Sequence, residues 1–245
     1  MQKSTGRRQD DKGRGRLASP AVVGFWTLAF YLLHSASSAV AAEPAWRALV
    51  TSGQLVEVTK IDPTIKVEMR YTTTRNCVGA AVYPADLPCL IRPEIALRLK
   101  AAQQYLRGWN YGLKIWDAYR PEQAQRALWQ RWNKRGYVAD PGDGRGSLHT
   151  WGLAVDVTLV DRFGNDVAMP SDFDVFTKDA SGIYRGESDT VHANLRLLHR
   201  AMFGSGFQGL STEWWHFAAR GWQQFDRLTA ASTAPAGTTA TPPKP

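Results

Sequence analysis

The sequence predicts a single α+β domain, and three observations lead to this prediction. The chain has 245 residues, which is room for one well-buried core and too little for two large ones. Short apolar strands alternate with single helices, and several connections between them are long and polar. Hydrophobic residues make up 44% of the chain, which excludes a collagen-like or largely disordered protein.

The predicted elements follow from periodicity and from residues that start or stop helices. We expect two short strands within residues 55–71, further strands at 113–118, 151–160 and 212–218, and helices at 93–108, 121–134 and 188–202. Pro93 suits a first helical turn, Gly108 is a frequent helix stop, and Ser188 is a favourable N-cap. The Gly-, Pro- and Asp-rich segment 136–147 is predicted to be a loop.

The two ends of the chain differ from this domain in composition. A basic stretch, an apolar run at residues 21–33 and the A-x-A pattern around residue 41 predict a signal peptide over residues 1–42. We therefore expect export to the periplasm or cell envelope, with an uncleaved signal anchor as the alternative. Residues 229–245 are rich in Ala, Thr and Pro and are predicted to be a disordered tail, so the predicted catalytic domain covers residues 43–228.

The net charge of +8 gives little support for a nucleic-acid partner. Residues 1–20 carry six basic and two acidic side chains, which is half of the excess. The remaining charge is spread without a Lys/Arg run, so no phosphate-binding surface is expected. We also expect no stable membrane span once the signal is removed, and nothing in the sequence indicates an oligomeric state.

Two cysteines lie in a Gly- and Pro-rich segment. Cys77 and Cys89 would form a disulfide in an exported protein, and we predict this bridge. The alternative is a pair of buried thiols.

Two short segments place ionisable residues inside apolar strands. Asp156 interrupts a strand that is otherwise apolar, and His149 precedes it by seven positions. Glu213 and His216 lie in the apolar segment E-W-W-H. Buried carboxylates are costly unless they are paired or bind a metal. His149, Asp156 and His216 are therefore candidate metal ligands, and Glu213 is a candidate general base for a water molecule.

A third segment supplies a permanent cation. Arg120 lies at a predicted strand end and can stabilise an oxyanion or hold a carboxylate. A serine-hydrolase triad of Ser147, His149 and Asp156 is the competing interpretation. It is disfavoured because the chain has no G-x-S-x-G motif, and because it leaves the E-W-W-H segment unused.

These motifs together resemble a known family. The pattern S-x-H-x2-G-x-A-x-D over residues 147–156, followed by E-W-W-H at 213–216, resembles the D-alanyl-D-alanine dipeptidase family of zinc peptidases, the type associated with vancomycin resistance. The segment W-D-A-Y-R-P at 116–121 is similar to that family's arginine segment. The resemblance extends from about residue 71 to residue 217. It implies a single α+β domain with a central antiparallel sheet flanked by helices.

The resemblance also implies a role for each matched residue. It implies one Zn²⁺ per chain held by His149, Asp156 and His216, Glu213 as catalytic base, Arg120 as the residue that stabilises the transition state, and Tyr71, Ser147 and Asp174 around the substrate's ammonium group. The implied reaction is hydrolysis of the small dipeptide D-Ala-D-Ala to two D-alanines, in cell-wall peptide turnover or glycopeptide resistance. Two alternatives stay open: a D,D- or L,D-carboxypeptidase acting on peptidoglycan stem peptides, and a catalytically idle module that binds the cell wall.

Overall fold

A five-stranded sheet organises the computed structural model, which describes residues 44–133 and 136–229. The strands are β1 (Val56–Glu57), β2 (Lys66–Val67), β3 (Leu90–Ile91), β4 (Tyr111–Asp117), β5 (Ala154–Asp161), β6 (Phe207–Leu210) and β7 (Glu213–Ala219). The helices are α1 (Ala45–Thr51), α2 (Val58–Ile61), α3 (Pro93–Arg107), α4 (Glu122–Arg131) and α5 (Asp189–Gly204). The order in the sheet is β2-β4-β5-β7-β6, and β1 pairs separately with β3.

The predicted α+β class is confirmed, and the sheet is mixed. β5 pairs antiparallel with β4 and with β7, and β6 pairs antiparallel with β7. Only the two-residue edge strand β2 runs parallel to its neighbour β4, among the pairings in the described residues. The chain passes through α3 between β2 and β4, and a helical crossover returns a strand in the parallel direction.

The two long helices, α3 and α5, pack against each other and against the sheet. Pro93 occupies the start of α3 and Gly108 is its C-cap, as predicted. The Ser188 hydroxyl accepts a hydrogen bond from the Val191 N–H and so caps α5. The buried faces of these helices consist mainly of leucines and other apolar residues, among them Leu99. Burying each such side chain stabilises the fold by about 1.5–3 kcal/mol.

Several element boundaries differ from the sequence prediction. Residues 58–61 form the helical turn α2 instead of continuing a strand. The strand predicted from residue 151 begins at Ala154, because a hydrogen-bonded turn occupies the residues before it. Helix α4 ends at Arg131, earlier than the predicted end at 134. The sequence did not predict α1, β3 or β6, which are too short to give a clear period.

The predicted signal peptide over residues 1–42 lies outside the described residues. The predicted tail does too, apart from Thr229. Among the helices at 44–133 and 136–229, none combines the length and the apolar character that crossing a membrane requires.

The predicted disulfide between Cys77 and Cys89 is not present, and both residues are free thiols. The backbone N–H of Cys77 donates to Asp174 Oδ2 at 3.1 Å, whereas Cys89 is buried in the hydrophobic core. Burial raises the pKa of both thiols. The two cysteines therefore belong to different surroundings: Cys89 fits the alternative of a buried thiol, whereas Cys77 is only partly buried.

Candidate active site

Three neighbouring strands bring polar side chains into one row at one end of the sheet. Asp117 of β4 lies opposite Asp156 of β5, and Asp156 lies opposite His216 of β7. Directly opposed residues on neighbouring strands project to the same face of a sheet, so these three side chains meet. Asp156 is only 3% exposed. A carboxylate so deeply buried needs a compensating charge or a metal ion.

His149 reaches the same place from the turn that precedes β5. Gly152 closes this turn with a φ of +64°, and its N–H donates to the carbonyl oxygen of His149 at 3.0 Å. A Cβ at position 152 would approach Leu55 Cδ2 to 2.9 Å, so both the conformation and the space require glycine. The ring Nδ1 of His149 lies 2.9 Å from the carbonyl oxygen of Ala118. Because that oxygen only accepts, Nδ1 carries a proton, and in the neutral ring Nε2 carries the lone pair.

The ligand atoms of His149, Asp156 and His216 converge on one point. His149 Nε2 lies 3.2 Å from His216 Nδ1 and 3.4 Å from Asp156 Oδ1. His216 Nδ1 lies 3.0 Å from the same carboxylate oxygen. All three ligand atoms lie within 4.8 Å of one another, an arrangement that can hold a metal ion. The three predicted ligands are therefore brought together.

Two of these residues have pKa shifts that favour metal binding. Burial alone would raise the pKa of Asp156, but His149 and His216 outweigh it and hold the pKa of this carboxyl well below its usual range. Burial lowers the pKa of His216. An ionised carboxylate and a neutral imidazole are the forms that bind metal ions.

The guanidinium of Arg120 is held in a fixed position at this site. Its Nε and Nη2 donate to Asp117 Oδ2 at 3.1 and 2.7 Å, and its Nη1 donates to Gln125 Oε1 at 2.8 Å. The other oxygen of Asp117 accepts from the Tyr83 hydroxyl at 2.5 Å. Burial alone would lower the pKa of Arg120, but Asp117 outweighs it and raises the pKa. Arg120 therefore presents a permanent charge in a preset orientation.

Glu213 and His216 approach each other because the pairing between β6 and β7 is irregular. Gly209 pairs with Phe217 and Leu210 pairs with Glu213, so residues 214–216 have no partner on β6. This bulge brings Glu213 Oε2 to 4.0 Å from His216 Nδ1. The other carboxylate oxygen, Oε1, is buried and has no hydrogen-bond partner in the described part of the chain. Burial, then the charges of Asp156 and Asp174, raise the pKa of Glu213 well above its usual value.

The predicted substrate-binding residues lie on loops. Tyr71 belongs to the short 3₁₀ turn Arg70–Thr72. Asp174 follows β5 in a loop and has a φ of +57°. Burial raises the pKa of Asp174 to about 6, against the opposing hydrogen bonds from Cys77 and Tyr71. Ser147 Oγ accepts from the backbone N–H of His149 at 3.3 Å.

One cavity of about 750 Å³ collects every site residue that the sequence predicts. Its walls include Tyr71, Arg120, Ser147, His149, Asp156, Asp174, Glu213 and His216. The cavity is large enough to enclose a short peptide. The cavity thus brings these residues together, while the role of each stays a prediction.

The sequence analysis missed the residues that hold Arg120. Asp117, Tyr83 and Gln125 form a buried hydrogen-bonded set around its guanidinium. Asp117 could have been identified from the sequence, because it is a charged residue at the end of an apolar strand, three positions before Arg120. No local pattern indicated Tyr83, which is 34 positions from the Asp117 carboxylate it contacts.

The cavity contains a buried cluster of two histidines and one aspartate, together with a free carboxylate and a fixed arginine. This combination is typical of a hydrolase that uses a metal ion. On an α+β domain of this kind, the fold and site define a metallopeptidase. The chain belongs to the M15 peptidase family, because the sequence model of that family, described as D-ala-D-ala dipeptidase, matches residues 51–231.

Several curated relatives are similar over most of their length. The chain is 35% identical over 164 residues to the D-alanyl-D-alanine dipeptidase of Escherichia coli, which covers 67% of this chain and 83% of that protein. It is 29% identical over 177 residues to the D-alanyl-D-alanine dipeptidase of Enterococcus faecalis, covering 62% and 85%. The D-alanyl-D-alanine dipeptidase of Streptomyces coelicolor is 27% identical over 198 residues, covering 69% and 93%.

Proposed function

We propose that the protein is a zinc-dependent dipeptidase that hydrolyses D-Ala-D-Ala to two molecules of D-alanine. One observation carries the proposal: the ligand atoms of His149, Asp156 and His216 converge next to Glu213, whose buried Oε1 has no partner among the described residues. Family membership supports the same reaction.

The distances within the cluster fit zinc. Ligand atoms about 2.0–2.2 Å from a tetrahedral zinc ion lie roughly 3.3–3.6 Å apart. The observed separations of 3.0, 3.2 and 3.4 Å are close to this range. Two imidazole nitrogens and one carboxylate oxygen are also the ligand type that catalytic zinc sites use, with a fourth position left open.

The chain's own residues can carry out the proton transfers of peptide hydrolysis. Zinc, when bound, would polarise the scissile carbonyl and acidify a water molecule. Glu213 takes a proton from that water, the water oxygen bonds to the carbonyl carbon, and Glu213 returns the proton to the amine as the C–N bond breaks. A carboxylate with a raised pKa is well suited to both steps.

The remaining residues bind and orient the substrate. Arg120 lies in the cavity with its guanidinium fixed by Asp117, and it donates to the carbonyl oxygen as negative charge develops there. Asp174 attracts the substrate's ammonium group, and Tyr71 and Ser147 line the cavity around that group. An acylated substrate lacks this positive charge and is disfavoured.

The proposal includes export of the protein to the periplasm or cell envelope. The apolar run and A-x-A pattern within residues 1–42 support it. Cell fractionation tests export, and a protein found only in the cytoplasmic fraction would contradict it. Sequencing the N-terminus of the protein recovered from the cell envelope tests cleavage, and a chain that still begins at residue 1 would favour the uncleaved signal anchor.

The reaction is tested by measuring release of D-alanine from D-Ala-D-Ala and from an N-acylated tripeptide ending in D-Ala-D-Ala, with and without a chelator. We expect turnover of the free dipeptide, its loss on chelation and its recovery with added Zn²⁺. A preference for the acylated tripeptide would show that the protein is a carboxypeptidase and not a dipeptidase. Full activity in the metal-free protein would rule out the metal mechanism.

A further inference from the structure

Two arginines line the cavity among the described residues, and only one of them forms an ion pair there. Arg120 directs three donors to Asp117 and Gln125. Arg145 forms no ion pair with any residue at 44–133 or 136–229, and it is exposed. The guanidinium of Arg145 is therefore a cation at the wall of the cavity that no carboxylate among the described residues contacts directly.

The position of Arg145 is set by contacts on both sides of its loop. Its N–H donates to Asp143 Oδ1 at 3.0 Å, and its carbonyl oxygen accepts from Trp151 Nε1 at 3.1 Å and from Arg227 Nη2 at 3.0 Å. The Arg145 guanidinium lies 5.7 Å from the centroid of the Trp222 ring, and Trp222 also lines the cavity. The loop backbone is thus anchored, and the guanidinium rests on an aromatic face in the cavity wall.

Two carboxylates lie near this loop, and the charges of Asp143 and Arg145 attract each other without a direct ion pair. Asp140 and Asp143 both line the cavity. Asp143 Oδ1 accepts from the N–H groups of Arg145 and Gly146, and Asp140 Oδ1 accepts from the N–H of Gly142. These carboxylates stabilise the loop itself, and neither forms an ion pair with the Arg145 side chain.

A dipeptide substrate carries one charge at each end. The ammonium group has Asp174 as its counter-ion in the proposed function, and the carboxylate needs a cation elsewhere in the cavity. Arg145 lies two residues before Ser147 and four before His149, so its loop leads directly into the proposed reaction site. A guanidinium can bind a carboxylate with two parallel hydrogen bonds.

We propose that Arg145 binds the C-terminal carboxylate of the peptide and so selects substrates with a free C-terminus next to the scissile bond. This inference rests on the proposed dipeptidase function and adds the residue that recognises the second end of the substrate. It makes Arg145 a binding and specificity residue, distinct from Arg120, whose charge faces the reacting carbonyl.

The test compares D-Ala-D-Ala with its C-terminal amide, D-Ala-D-alaninamide, in the wild type and in Arg145→Met. Methionine keeps an unbranched apolar stem and removes the charge. We expect kcat/KM for the acid to fall by about 10- to 100-fold in Arg145→Met, because a charge-assisted hydrogen-bonded pair is lost. For the amide we expect kcat/KM to stay within about twofold of the wild type. Arg145→Lys should keep part of the preference for the acid, because it keeps the charge without the planar fork.

The control is Arg126→Met, which removes an exposed arginine of α4 that is not among the residues lining the cavity and that pairs with Glu122. It should leave both substrates unaffected. An acid-to-amide ratio in Arg145→Met equal to that of the wild type would overturn the assignment. So would a wild type that hydrolyses acid and amide equally well, although the dipeptidase reaction would then stand. A wild type that hydrolyses neither substrate would remove the dipeptidase function itself.

Discussion

The cavity has two regions that are built in different ways. The reaction region consists of Asp156, Glu213 and His216 on the central strands β5 and β7, together with His149 in the turn before β5. The recognition region consists of Tyr71, Asp174 and Arg145, which all lie on turns or loops. Strand residues are positioned by register, whereas loop residues need contacts of their own to hold them.

Ion pairs supply those contacts in the recognition region. Arg70, next to Tyr71, is only 2% exposed and lies 3.1 Å from Asp172, two residues before Asp174. It also pairs with Glu68 at 3.0 Å. The 3₁₀ turn and the Asp174 loop are therefore tied together by a buried cation. From this comparison we expect metal binding to depend mainly on strand register, and substrate preference to depend on side-chain contacts between loops.

The largest effect is expected in the reaction region, from His149→Ala. Removing one of three ligands should abolish stoichiometric zinc and reduce activity below detection, because two ligands cannot hold the ion tightly. Zinc content by elemental analysis and D-alanine release are the measurements. Circular dichroism serves to show that the chain is folded, and a folded variant with a full equivalent of zinc would exclude His149 as a ligand.

Glu213→Gln should separate metal binding from turnover. The amide keeps the shape of the side chain but cannot take a proton, so kcat should fall by about 10²- to 10⁴-fold while the zinc content stays near one per chain. The control is Gln223→Glu, which also changes the charge of one side chain, in the short 3₁₀ turn Trp222–Gln224. Wild-type kcat in Glu213→Gln would remove Glu213 as the base.

Asp174→Asn should affect the recognition region, and its effect should depend on pH. Asparagine tolerates the positive φ of this position and removes only the charge. The pKa of Asp174 is raised to about 6, so the carboxylate is neutral below that pH and charged above it. The ratio of wild-type to variant kcat/KM should therefore increase as the pH rises through about 6. At neutral pH it should reach about 10- to 100-fold.

The matched control for Asp174→Asn is Asp86→Asn, which changes an exposed carboxylate that pairs with Arg47 and is not among the residues lining the cavity. Its kcat/KM should follow that of the wild type at every pH. A ratio for Asp174→Asn that does not change with pH would show that the charge of Asp174 does not bind the ammonium group.

The smallest effect is expected from Arg70→Lys. Lysine keeps the charge but lacks the fork that contacts Glu68 and Asp172 together, so the two loops should shift slightly. We expect KM for D-Ala-D-Ala to increase on the order of fivefold, about 1 kcal/mol, with kcat nearly unchanged. An equal fall in kcat with unchanged KM would mean that Arg70 acts on the reaction region instead.

The difference between the regions also explains what could be predicted from the sequence. Charged residues inside apolar strands are conspicuous, so Asp156, Glu213 and His216 were visible as a metal site before their contacts were known. Loop residues carry no such contrast, and Tyr71 and Asp174 were assigned only through the family resemblance. No sequence pattern indicated a role for Arg145, because an exposed arginine in a polar loop is common in proteins.

The sequence by itself determined the α+β class, the long helices and the set of candidate metal ligands, because periodicity, caps and buried charge are local properties. Only the tertiary structure decided the bulge that brings Glu213 to His216, the hydrogen bonds that fix Arg120, and the separate surroundings of Cys77 and Cys89. These features depend on strand register and on contacts between residues distant in the chain. Local pattern contains no information about such contacts, and packing of the whole domain selects them.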